Sequence, residues 1–226
     1  MGSKRRIAKE ILPIVLKDRE PGQLYIEPFC GGCNLIDKVD GRRWANDSDF
    51  YLVEMFKTLQ DGWEPPHEVT RELYKAVRIN KEAYCPALVA FIGFTCTFGA
   101  KWFGGYAYDE GGRNYARESC DNLKRQLPYL RDLIFTNLSF DRLDIGEPSI
   151  IYCDPPYANA TRYRDGFNHA AFWEWVRVKS KEGHKVFVSE YGAPDDFKCL
   201  KEIPTLTTMN KSSKDVRIER LFSYDG

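Results

Sequence analysis

An apolar run that ends at an acid and two prolines is the feature of this sequence that most restricts the fold. The run Ile150-Ile151-Tyr152-Cys153 is β-branched and aromatic, which favours a buried strand. It is followed directly by Asp154, Pro155, Pro156 and Tyr157. The prolines lack backbone N–H groups and have a fixed φ, so a strand ladder cannot continue past Asp154. The sequence therefore predicts a buried strand ending at a rigid corner that combines a carboxylate, free carbonyl acceptors and an aromatic ring.

The chemistry of this corner suits a planar heterocycle that carries an amino group. The carboxylate and the carbonyls can accept hydrogen bonds from an NH₂ group, and the ring of Tyr157 can stack on the heterocycle. A second interpretation is an ordinary strand followed by a tight turn, with Asp154 as a capping residue. The local pattern alone leaves both interpretations open.

The composition is that of an ordinary globular chain. Its 226 residues are 43% hydrophobic and 29% charged, which is enough to bury the core of one domain, or of one domain with an inserted lobe. No stretch approaches the ~18 consecutive apolar residues of a membrane span. The N-terminus is basic and amphipathic and lacks the apolar segment of a secretory signal. We therefore expect a cytoplasmic protein with no membrane partner.

Charges and cysteines narrow the class further. The 33 basic and 33 acidic residues cancel, so a nucleic-acid partner would require a local positive surface. The seven cysteines are odd in number and have no framework spacing, which favours reduced thiols over disulfides.

An amphipathic helix and a glycine-rich loop begin the chain. Residues 4–16 place apolar side chains on one helical face, with the charges opposite. A strand over residues 23–27 then leads into Pro28-Phe29-Cys30-Gly31-Gly32-Cys33, and a helix is predicted after this loop. Glycines directly after a strand let the backbone approach a ligand closely, and a helix start adds free N–H groups.

The same loop has two other interpretations. Cys30-Gly31-Gly32-Cys33 is a C-x-x-C motif at a predicted helix start, where thioredoxin-like proteins lower the pKa of a thiol. A redox protein of that kind would have a reactive Cys30 thiolate. A zinc site would need a second C-x-x-C or a matching histidine pair, and the three histidines, His67, His169 and His184, are scattered. We expect no metal site.

An acid after the second predicted strand is the next candidate for ligand binding. Asp47 follows the strand Arg42-Arg43-Trp44-Ala45-Asn46 and lies about twenty residues beyond Glu27, where doubly wound folds commonly hold a ribose. The alternative is that Asp47 or Ser48 simply caps a helix over residues 49–59.

Residues 58–131 differ from the rest in residue pattern and predict an inserted, mainly helical lobe. Helical patterns cover residues 69–76 and 86–94, and residues 95–108 mix aromatic residues with glycines and one lysine. Basic residues among aromatics are typical of nucleic-acid surfaces, although aromatics near glycines also form satellite cores. The candidate nucleic-acid contacts are Lys101, Trp102 and Arg113 in the lobe, with Lys211 and Lys214 in a predicted polar loop over residues 210–214.

Strand and helix patterns alternate in the rest of the chain. Strands are predicted at residues 133–138, 149–153, 185–189, 205–209 and 216–222. A helix over residues 167–180 has an apolar stripe formed by Phe172, Trp173 and Val176. This alternation predicts an α/β fold with a mostly parallel sheet and helices on both of its faces.

The order of these parts resembles that of the Dam-like adenine-specific DNA N6-methyltransferases (D12 class, alpha-type). In that family a cofactor motif comes first, a target-recognition region next and a D-P-P-Y motif last. Glu27-Pro28-Phe29-Cys30-Gly31-Gly32 looks like the family's E-P-F-x-G-x-G cofactor loop, with Cys33 where the last glycine is usual. Asn46-Asp47 resembles its ribose-binding acid, and Asp154-Pro155-Pro156-Tyr157 resembles its catalytic tetrapeptide.

The resemblance implies roles for further residues. Lys4 is similar to the lysine of an N-terminal G-x-K element that arches over the methionine part of S-adenosylmethionine, and Phe140 lies where the family contacts the cofactor adenine. The segment Glu219-Arg220-Leu221-Phe222 resembles the closing strand. The implied cofactor-binding residues are Lys4, Glu27, Pro28, Phe29, Cys30, Gly31, Gly32, Asp47, Phe140 and Asp154. The implied catalytic residues are Asp154, Pro155, Pro156 and Tyr157.

The fold and function implied by the resemblance are specific. Residues 1–57 and 132–226 would form a Rossmann-like, S-adenosylmethionine-dependent catalytic domain, and residues 58–131 would form the target-recognition lobe. Asp154 and the Pro155 carbonyl would accept the two N–H bonds of a flipped-out adenine amine, and the methyl group would then be transferred directly. DNA is the implied partner of a bacterial or phage-encoded cytoplasmic enzyme, which would act either alone or beside a cognate restriction nuclease.

Two rival functions share this fold. An N4-cytosine methyltransferase would use the same acceptor geometry, although an aspartate rather than a serine at position 154 favours adenine. A non-catalytic nucleic-acid-binding module would keep the fold without the chemistry. The complete set of acids, Glu27, Asp47 and Asp154, disfavours such a module.

Overall fold

A twisted mixed sheet organises the protein. The computed structural model describes residues 4–109, 111–157, 167–206, 216–224 and 226. The strands found there are β1 (Tyr25–Glu27), β2 (Arg43–Asn46), β3 (Ile134–Thr136), β4 (Ile150–Cys153), β5 (Lys185–Glu190), β6 (Phe197–Leu206) and β7 (Val216–Tyr224). Their order across the sheet is β3-β2-β1-β4-β5-β7-β6. Strands β1 to β5 pair in parallel, and β7 is antiparallel to both β5 and β6.

Helices cover the sheet and fill the segment between β2 and β3. The α-helices of the described residues are α1 (Ala8–Val15), α2 (Phe50–Gln60), α3 (Arg71–Ile79), α4 (Pro86–Thr95), α5 (Tyr115–Gln126) and α6 (His169–Lys181). Short 3₁₀ turns lie at Lys4–Arg6, Ile36–Lys38, Lys81–Ala83, Phe98–Ala100, Leu127–Tyr129 and Phe140–Arg142. None of the helices in this part of the chain is both long enough and apolar enough to cross a bilayer.

Alternating residues of the central strands divide the core between the two faces of the sheet. Successive side chains of a strand point to opposite faces. In β4, Ile150 and Tyr152 therefore pack with α1, α2 and α4, while Ile151 and Cys153 pack with α6 on the other face. All four residues are buried. The predicted α/β architecture, with a mostly parallel sheet and helices on both faces, is confirmed.

The segment between β2 and β3 shares its core with the sheet. Val53 and Phe56 of α2, Phe91 of α4 and Cys120 of α5 belong to the same buried cluster as Tyr152. The proposed lobe boundary at residue 58 falls within α2. The division into a catalytic domain and a lobe remains a prediction, and the continuous core indicates that the two parts fold together.

Three predicted elements differ from the structure. The helix expected after the glycine-rich loop is only the 3₁₀ turn Ile36–Lys38, because Cys33 has a positive φ of 55° and β2 already begins at Arg43. The apolar stripe of α6 includes the buried Trp175, whereas Trp173 is only half-buried.

The third difference concerns β6, for which a strand was expected only at residues 205–209. The observed strand starts earlier, at Phe197, and its described part ends at Leu206. The charged residues and Pro204 in its first part do not resemble a strand pattern, so this part was not predicted. Charges and proline are tolerated there because β6 is an edge strand.

Phe91→Ala tests the continuity of the core. Phe91 is fully buried and packs with Trp63 at 6.4 Å between ring centroids. We expect the substitution to lower the free energy of unfolding by about 3–5 kcal/mol, because it deletes a large buried ring. Urea titrations followed by fluorescence and by circular dichroism should show one coincident transition at a lower midpoint.

Phe98→Ala is the matched control, because the side chain of Phe98 is 74% exposed. It should change the stability by less than about 0.5 kcal/mol. Two separate transitions in the Phe91→Ala protein would show that residues 58–131 unfold independently of the sheet.

Candidate active site

The predicted ligand-binding segments meet at one edge of the sheet. Strand β1 pairs with β2 on one side and with β4 on the other, so the direction in which the chain winds changes between β1 and β4. In open α/β sheets, ligands bind in the crevice beyond the carboxyl ends of the strands at such a switch point. The glycine-rich loop follows β1 and the corner Asp154–Tyr157 follows β4, which places both at this crevice.

The end of β2 holds the glycine-rich loop in place. Asp47 accepts a hydrogen bond from the Gly31 N–H at 2.9 Å through Oδ2 and another from the Asp49 N–H at 3.0 Å through Oδ1. Asn46, which is fully buried, donates from Nδ2 to the carbonyls of Pro28 at 3.0 Å and Leu138 at 2.9 Å. The loop after β1 is thereby fixed to the ends of both β2 and β3.

Asp47 is not the cap of α2. The N-cap is Asp49, whose side chain accepts from the Leu52 N–H at 2.9 Å, so the alternative that Asp47 or Ser48 caps this helix is wrong. Burial raises the pKa of Asp47 to about 6, although backbone N–H groups, including those of Asp49 and Gly31, oppose the rise. Burial thus makes the ionised form of Asp47 less favourable, while the hydrogen bond from the Gly31 N–H fixes the position of its side chain.

Glu27 lies at the carboxyl end of β1 and is buried. Its Oε1 accepts a hydrogen bond from the Tyr25 hydroxyl at 2.9 Å. Burial raises the pKa of Glu27 well above its usual value. A buried carboxyl at a ligand-binding edge is a group that a polar ligand can satisfy.

The backbone of the loop keeps the conformation of a glycine where the sequence has a cysteine. Cys33 has a φ of 55°, a region that costs a non-glycine residue roughly 1–2 kcal/mol. Gly31 also has a positive φ, of 49°. Cys33 therefore stands at the position of the last glycine of the E-P-F-x-G-x-G loop and adopts a backbone conformation that glycine favours.

The cysteines of this loop do not form a redox site. Cys30 and Cys33 are both buried free thiols. The hydrogen bond with Cys33 and burial raise the pKa of Cys30 well above its usual value, and burial raises the pKa of Cys33. A reactive thiolate requires the opposite shift, so the redox interpretation is wrong. Among the residues that the structure describes, no three His, Cys, Asp or Glu side chains are grouped to hold a metal ion.

Aromatic rings border the crevice beside the glycine-rich loop. Phe29 and Phe140 contact each other at 5.6 Å between ring centroids, and both contact Phe167 and Phe172. Phe29 and Phe140 are only half-buried. They offer apolar surface on the side of the crevice where the sequence predicts the adenine of the cofactor.

A buried lysine stands at the centre of the catalytic corner. Nζ of Lys4 lies 2.8 Å from Oδ1 of Asp154 and 2.8 Å from Oε1 of Glu219. It also donates to the hydroxyl of Tyr157 and lies 4.8 Å from the centroid of that ring. The Tyr157 hydroxyl in turn donates to Oε1 of Glu219 at 3.1 Å. We call these four side chains, Lys4, Asp154, Tyr157 and Glu219, the corner cluster.

Burial and charge act against each other in the corner cluster. Burial alone would lower the pKa of Lys4, but the carboxylates of Asp154 and Glu219 outweigh it and raise that pKa. Burial raises the pKa of Asp154, and Lys4 opposes this rise. Burial, with the charges of Asp154 and Glu219, also raises the pKa of Tyr157, so its phenol stays protonated. The cluster therefore holds one ammonium, two carboxyl groups and a neutral phenol.

The remaining residues of the corner are also positioned by packing. Pro155 is buried and Pro156 is half-buried. The ring of Tyr157 lies 4.6 Å from the ring of Tyr191 at an interplanar angle of 35°. The four residues Asp154 to Tyr157 therefore have fixed places at the crevice, and their catalytic roles remain predictions.

The predicted DNA contacts have different surroundings. Lys101 is exposed. Trp102 is half-buried, with its ring 4.5 Å from Phe94 and 4.9 Å from Phe103, so much of its surface packs within the lobe. Arg113 makes a bidentate ion pair with Glu118 on the surface. Lys211 and Lys214 lie outside the described residues.

Glu219 and Asn46 are among the residues of the site that were not predicted as site residues. Glu219 was noticed only as part of a closing strand, although an acid inside a strand pattern is a signal of a buried partner. Asn46 was noticed only as the neighbour of Asp47. Its role as a clamp depends on contacts with residues about 90 positions away, which no local pattern reveals.

The fold and the site together define the class of the protein. A glycine-rich loop after β1, an acid after β2 and Asp-Pro-Pro-Tyr after β4, set at the switch point of a Rossmann-like sheet, are the features of an S-adenosylmethionine-dependent methyltransferase. The chain matches the D12 class N6 adenine-specific DNA methyltransferases over residues 1–92 and 94–211. It belongs to this family, and the predicted family, fold class and cofactor are confirmed.

Solved structures with a similar fold are remote in sequence. TrmN from Thermus thermophilus aligns with 97% of this chain at 12% identity and a TM-score of 0.41. The putative methyltransferase yhhF from Escherichia coli aligns with 97% at 11% identity and a TM-score of 0.39, over 85% of its own length. SMU.472, a putative methyltransferase complexed with SAH, aligns with 98% at 12% identity and a TM-score of 0.41.

This chain spans about half the length of two of those structures, 48% of TrmN and 52% of SMU.472. Their low scores and identities support no inference about substrate or partner. The family match carries the assignment.

The ionisation of Asp47 provides a test of its predicted role. If its carboxylate accepts hydrogen bonds from the cofactor ribose, the affinity for S-adenosylhomocysteine should fall as the pH drops through about 6, where Asp47 takes up a proton. Each charged hydrogen bond is worth ~1.5–3 kcal/mol. Asp47→Asn should bind more weakly at neutral pH and lose this pH dependence. Isothermal titration calorimetry over this range measures both effects.

Asp40→Asn is the control, because Asp40 is exposed and precedes β2 at the opposite edge of the sheet. It should retain the parental affinity and pH dependence. An unchanged affinity in Asp47→Asn at every pH would leave Asp47 with only its structural role of holding the glycine-rich loop.

Proposed function

We propose that this chain transfers the methyl group of S-adenosylmethionine to N6 of an adenine in DNA. The observation that supports this most directly is the position of Asp154. Its carboxyl group lies on a corner that two prolines fix, at the carboxyl end of β4, and the glycine-rich loop follows the neighbouring parallel strand β1. Membership of the D12 class supplies adenine and DNA as the substrate class.

The crevice has the chemistry needed to hold the cofactor. Asp47 and Glu27 are carboxyl acceptors for hydroxyl groups, Gly31 and Gly32 allow close approach, and Phe140 offers an apolar face. When bound there, S-adenosylmethionine supplies an electrophilic methyl group. These donors and acceptors fit the cofactor without a metal ligand.

Asp154 and the carbonyl of Pro155 would prepare the target amine. The lone pair of an exocyclic amine is delocalised into the ring, so the amine is a poor nucleophile. If Asp154 accepts one N–H and the Pro155 carbonyl the other, the nitrogen becomes tetrahedral and its lone pair is localised. Positioning is then the main contribution of the protein, since effective molarities of oriented groups can reach on the order of 10⁵ M.

The target base would leave the duplex before it reaches this corner. Extrusion of a base costs a few kcal/mol, and stacking on an aromatic ring returns ~1–3 kcal/mol. Tyr157 lies in the corner cluster, and Tyr191 packs beside it. We propose that a base stacks on this tyrosine pair.

The lobe, residues 58–131, would contact the DNA around the target base. Lys101 is exposed, and so are the aromatic side chains of Phe98 (74%) and Tyr108 (64%) in the same segment, residues 95–108, which is rich in glycine and aromatic residues. Exposed rings beside a cation are typical of nucleic-acid surfaces. We propose this segment as the recognition surface, together with Arg113 and with residues 210–214, which include Lys211 and Lys214 and lie outside the described residues.

The biological setting follows from the activity. Methylation of specific adenines protects DNA from a nuclease of the same specificity, so a cognate restriction nuclease is a proposed partner. The proposed location is the cytoplasm of a bacterium, where bacterial and phage DNA are both accessible.

One experiment tests the proposed reaction directly. Plasmid DNA is incubated with the protein and labelled S-adenosylmethionine, digested to nucleosides and separated. Label in N6-methyladenine is the expected result. Label in N4-methylcytosine would assign the rival methyltransferase activity, and absence of label despite DNA binding would identify a non-catalytic module.

Asp154→Ala and Asp154→Asn separate chemistry from binding. Asp154 acts mainly when the amine develops positive charge, so both variants should lose methyl transfer while their affinity for the cofactor stays within about tenfold, ~1.4 kcal/mol. Asn should retain a trace of activity above Ala, because its amide oxygen still accepts a hydrogen bond. Single-turnover kinetics and calorimetry measure the two properties. Parental rates in either variant would contradict this mechanism.

Lys101→Ala and Arg113→Ala test the proposed recognition surface. Each should weaken DNA binding without changing cofactor affinity, and the salt dependence of binding should flatten by about one unit of slope for each lost phosphate contact. Fluorescence anisotropy at several salt concentrations measures the slope.

Arg42→Ala is the matched control for Arg113→Ala. Arg42 pairs with Glu147 at 2.7 Å, as Arg113 pairs with Glu118 at 2.7 Å, and both pairs are exposed. Arg42 immediately precedes β2, at the edge of the sheet opposite the crevice. Equal slopes in all variants would move the recognition surface away from Lys101 and Arg113.

A further inference from the structure

The corner cluster contains one more carboxyl group than the proposed reaction uses. The ammonium of a lysine has three donors. In Lys4 these donors meet Oδ1 of Asp154, Oε1 of Glu219 and the hydroxyl of Tyr157. Asp154 has a role as the acceptor for the target amine, whereas the mechanism so far gives Glu219 none.

The charges of the corner cluster show what Glu219 contributes. With Asp154 alone, the ammonium of Lys4 would cancel the charge of the carboxylate that has to accept the amine. The amine nitrogen becomes cationic as it takes the methyl group, until it gives up a proton. A corner without net charge would stabilise this state poorly. Glu219 adds a second negative charge at 2.8 Å from Nζ of Lys4 and keeps the corner anionic.

The position of Glu219 is rigid. It lies on β7 opposite Ile203 of the edge strand β6, and Leu221, two residues further along the same face of β7, is fully buried. Its own side chain is 9% exposed. A buried carboxylate is retained only when partners compensate its desolvation, and Lys4 and Tyr157 both bind it. Glu219 therefore connects the N-terminal segment to the aromatic ring of the corner.

We propose that Glu219 is a positioning residue for methyl transfer, which holds Lys4 and Tyr157 in place and keeps the corner around Asp154 anionic. This inference rests on the proposed function, since the reaction that it assists is transfer to an adenine amine. Lys4 then binds Oδ1 of Asp154 and fixes the orientation of that carboxylate. Glu219 acts through Lys4 and Tyr157 and needs no contact with the substrate.

The titratable groups around Asp154 determine the expected pH dependence. Lys4 and Tyr157 are hydrogen-bonded to Asp154. Three residues of the central strands also interact with it electrostatically, namely Tyr152, Glu27 and Cys153. The charge of Glu219 raises the pKa of Asp154, and the charge of Lys4 lowers it. Removal of the Glu219 charge leaves Lys4 to lower the pKa of Asp154 further.

Glu219→Gln tests the proposal through the pH profile of kcat at saturating cofactor and DNA. Activity requires ionised Asp154 and is lost as pH falls through its pKa. The variant should therefore lose about 10- to 100-fold in kcat, from a charge removed at short range, and the acid limb of its profile should move to lower pH. A purely structural role would lower kcat without moving the limb, and an unmoved limb would overturn the proposal.

Two further variants keep this test specific. Glu219→Asp keeps the charge and should restore the acid limb towards its parental position, even if the shorter side chain lowers kcat. Glu202→Gln changes a glutamate of the same hairpin that pairs with Arg220 on the surface at 2.7 Å. It should leave both kcat and the limb unchanged.

A second measurement is independent of methyl transfer. Acetylation of lysines by an N-hydroxysuccinimide ester, followed by mass spectrometry, reports the reactivity of the Lys4 amine relative to the exposed Lys198. Lys4 should react slowly in the parent and roughly 10-fold faster in Glu219→Gln, because loss of one carboxylate partner frees the amine and lowers its pKa. Equal reactivity in both proteins would overturn the anchoring role.

These two measurements also separate the two hypotheses. A parent that fails to methylate adenine would refute the proposed function, while the acetylation result would still decide whether Glu219 holds Lys4. A parent that methylates adenine, combined with a Glu219→Gln variant of parental kcat and pH profile, would refute only the role of Glu219.

Discussion

The contact between Lys4, Asp154 and Glu219 is the interaction on which the site depends. Its three residues are far apart in the sequence, and the fold brings them together from the turn before α1, the end of β4 and the strand β7. The ammonium is buried, so it is stable only because two carboxylates surround it. The N-terminal segment, the strand before the two prolines and the antiparallel hairpin of β6 and β7 therefore form one electrostatic unit. Removal of either carboxylate would leave Lys4 with a single buried carboxylate partner.

Burial makes the crevice a place where carboxyl groups resist ionisation. The pKa values of Glu27, Asp47 and Asp154 are all raised, with desolvation as the largest cause in each. These residues end or follow β1, β2 and β4, so their shared property comes from the common edge of the sheet. Ligand hydroxyl and amine groups can satisfy such acids, and the protein holds them in place through backbone N–H groups, Tyr25 and Lys4. The free-energy cost of burying these acids is thus offset when a ligand with hydroxyl or amine groups binds to them.

Much of this arrangement could be predicted from the sequence, because it is encoded locally. The run Ile150–Cys153 followed by two prolines defined the strand and its corner, and glycines after a strand indicated the ligand loop. The partners of each acid could not be predicted in the same way. Glu219 resembles any other acid of an edge hairpin, and Asn46 any polar strand end, until the fold brings distant segments together. The prediction of a helix after the glycine-rich loop was wrong because Cys33 adopts a left-handed backbone conformation. The spacing of apolar residues contains no information about that conformation. The first part of β6 was missed because edge strands tolerate charged residues, and a charged segment in a sequence is usually interpreted as a loop.

The two thiols beneath the glycine-rich loop give the protein an internal reporter of motion. Cys30 and Cys33 are buried, and their backbone is fixed to β2 and to the loop itself. A small alkylating reagent can reach them only when the loop opens, so the rate of their modification measures the frequency of that opening. Cys33, which stands where the family's loop has its last glycine, thereby makes the opening of the loop measurable at a native side chain.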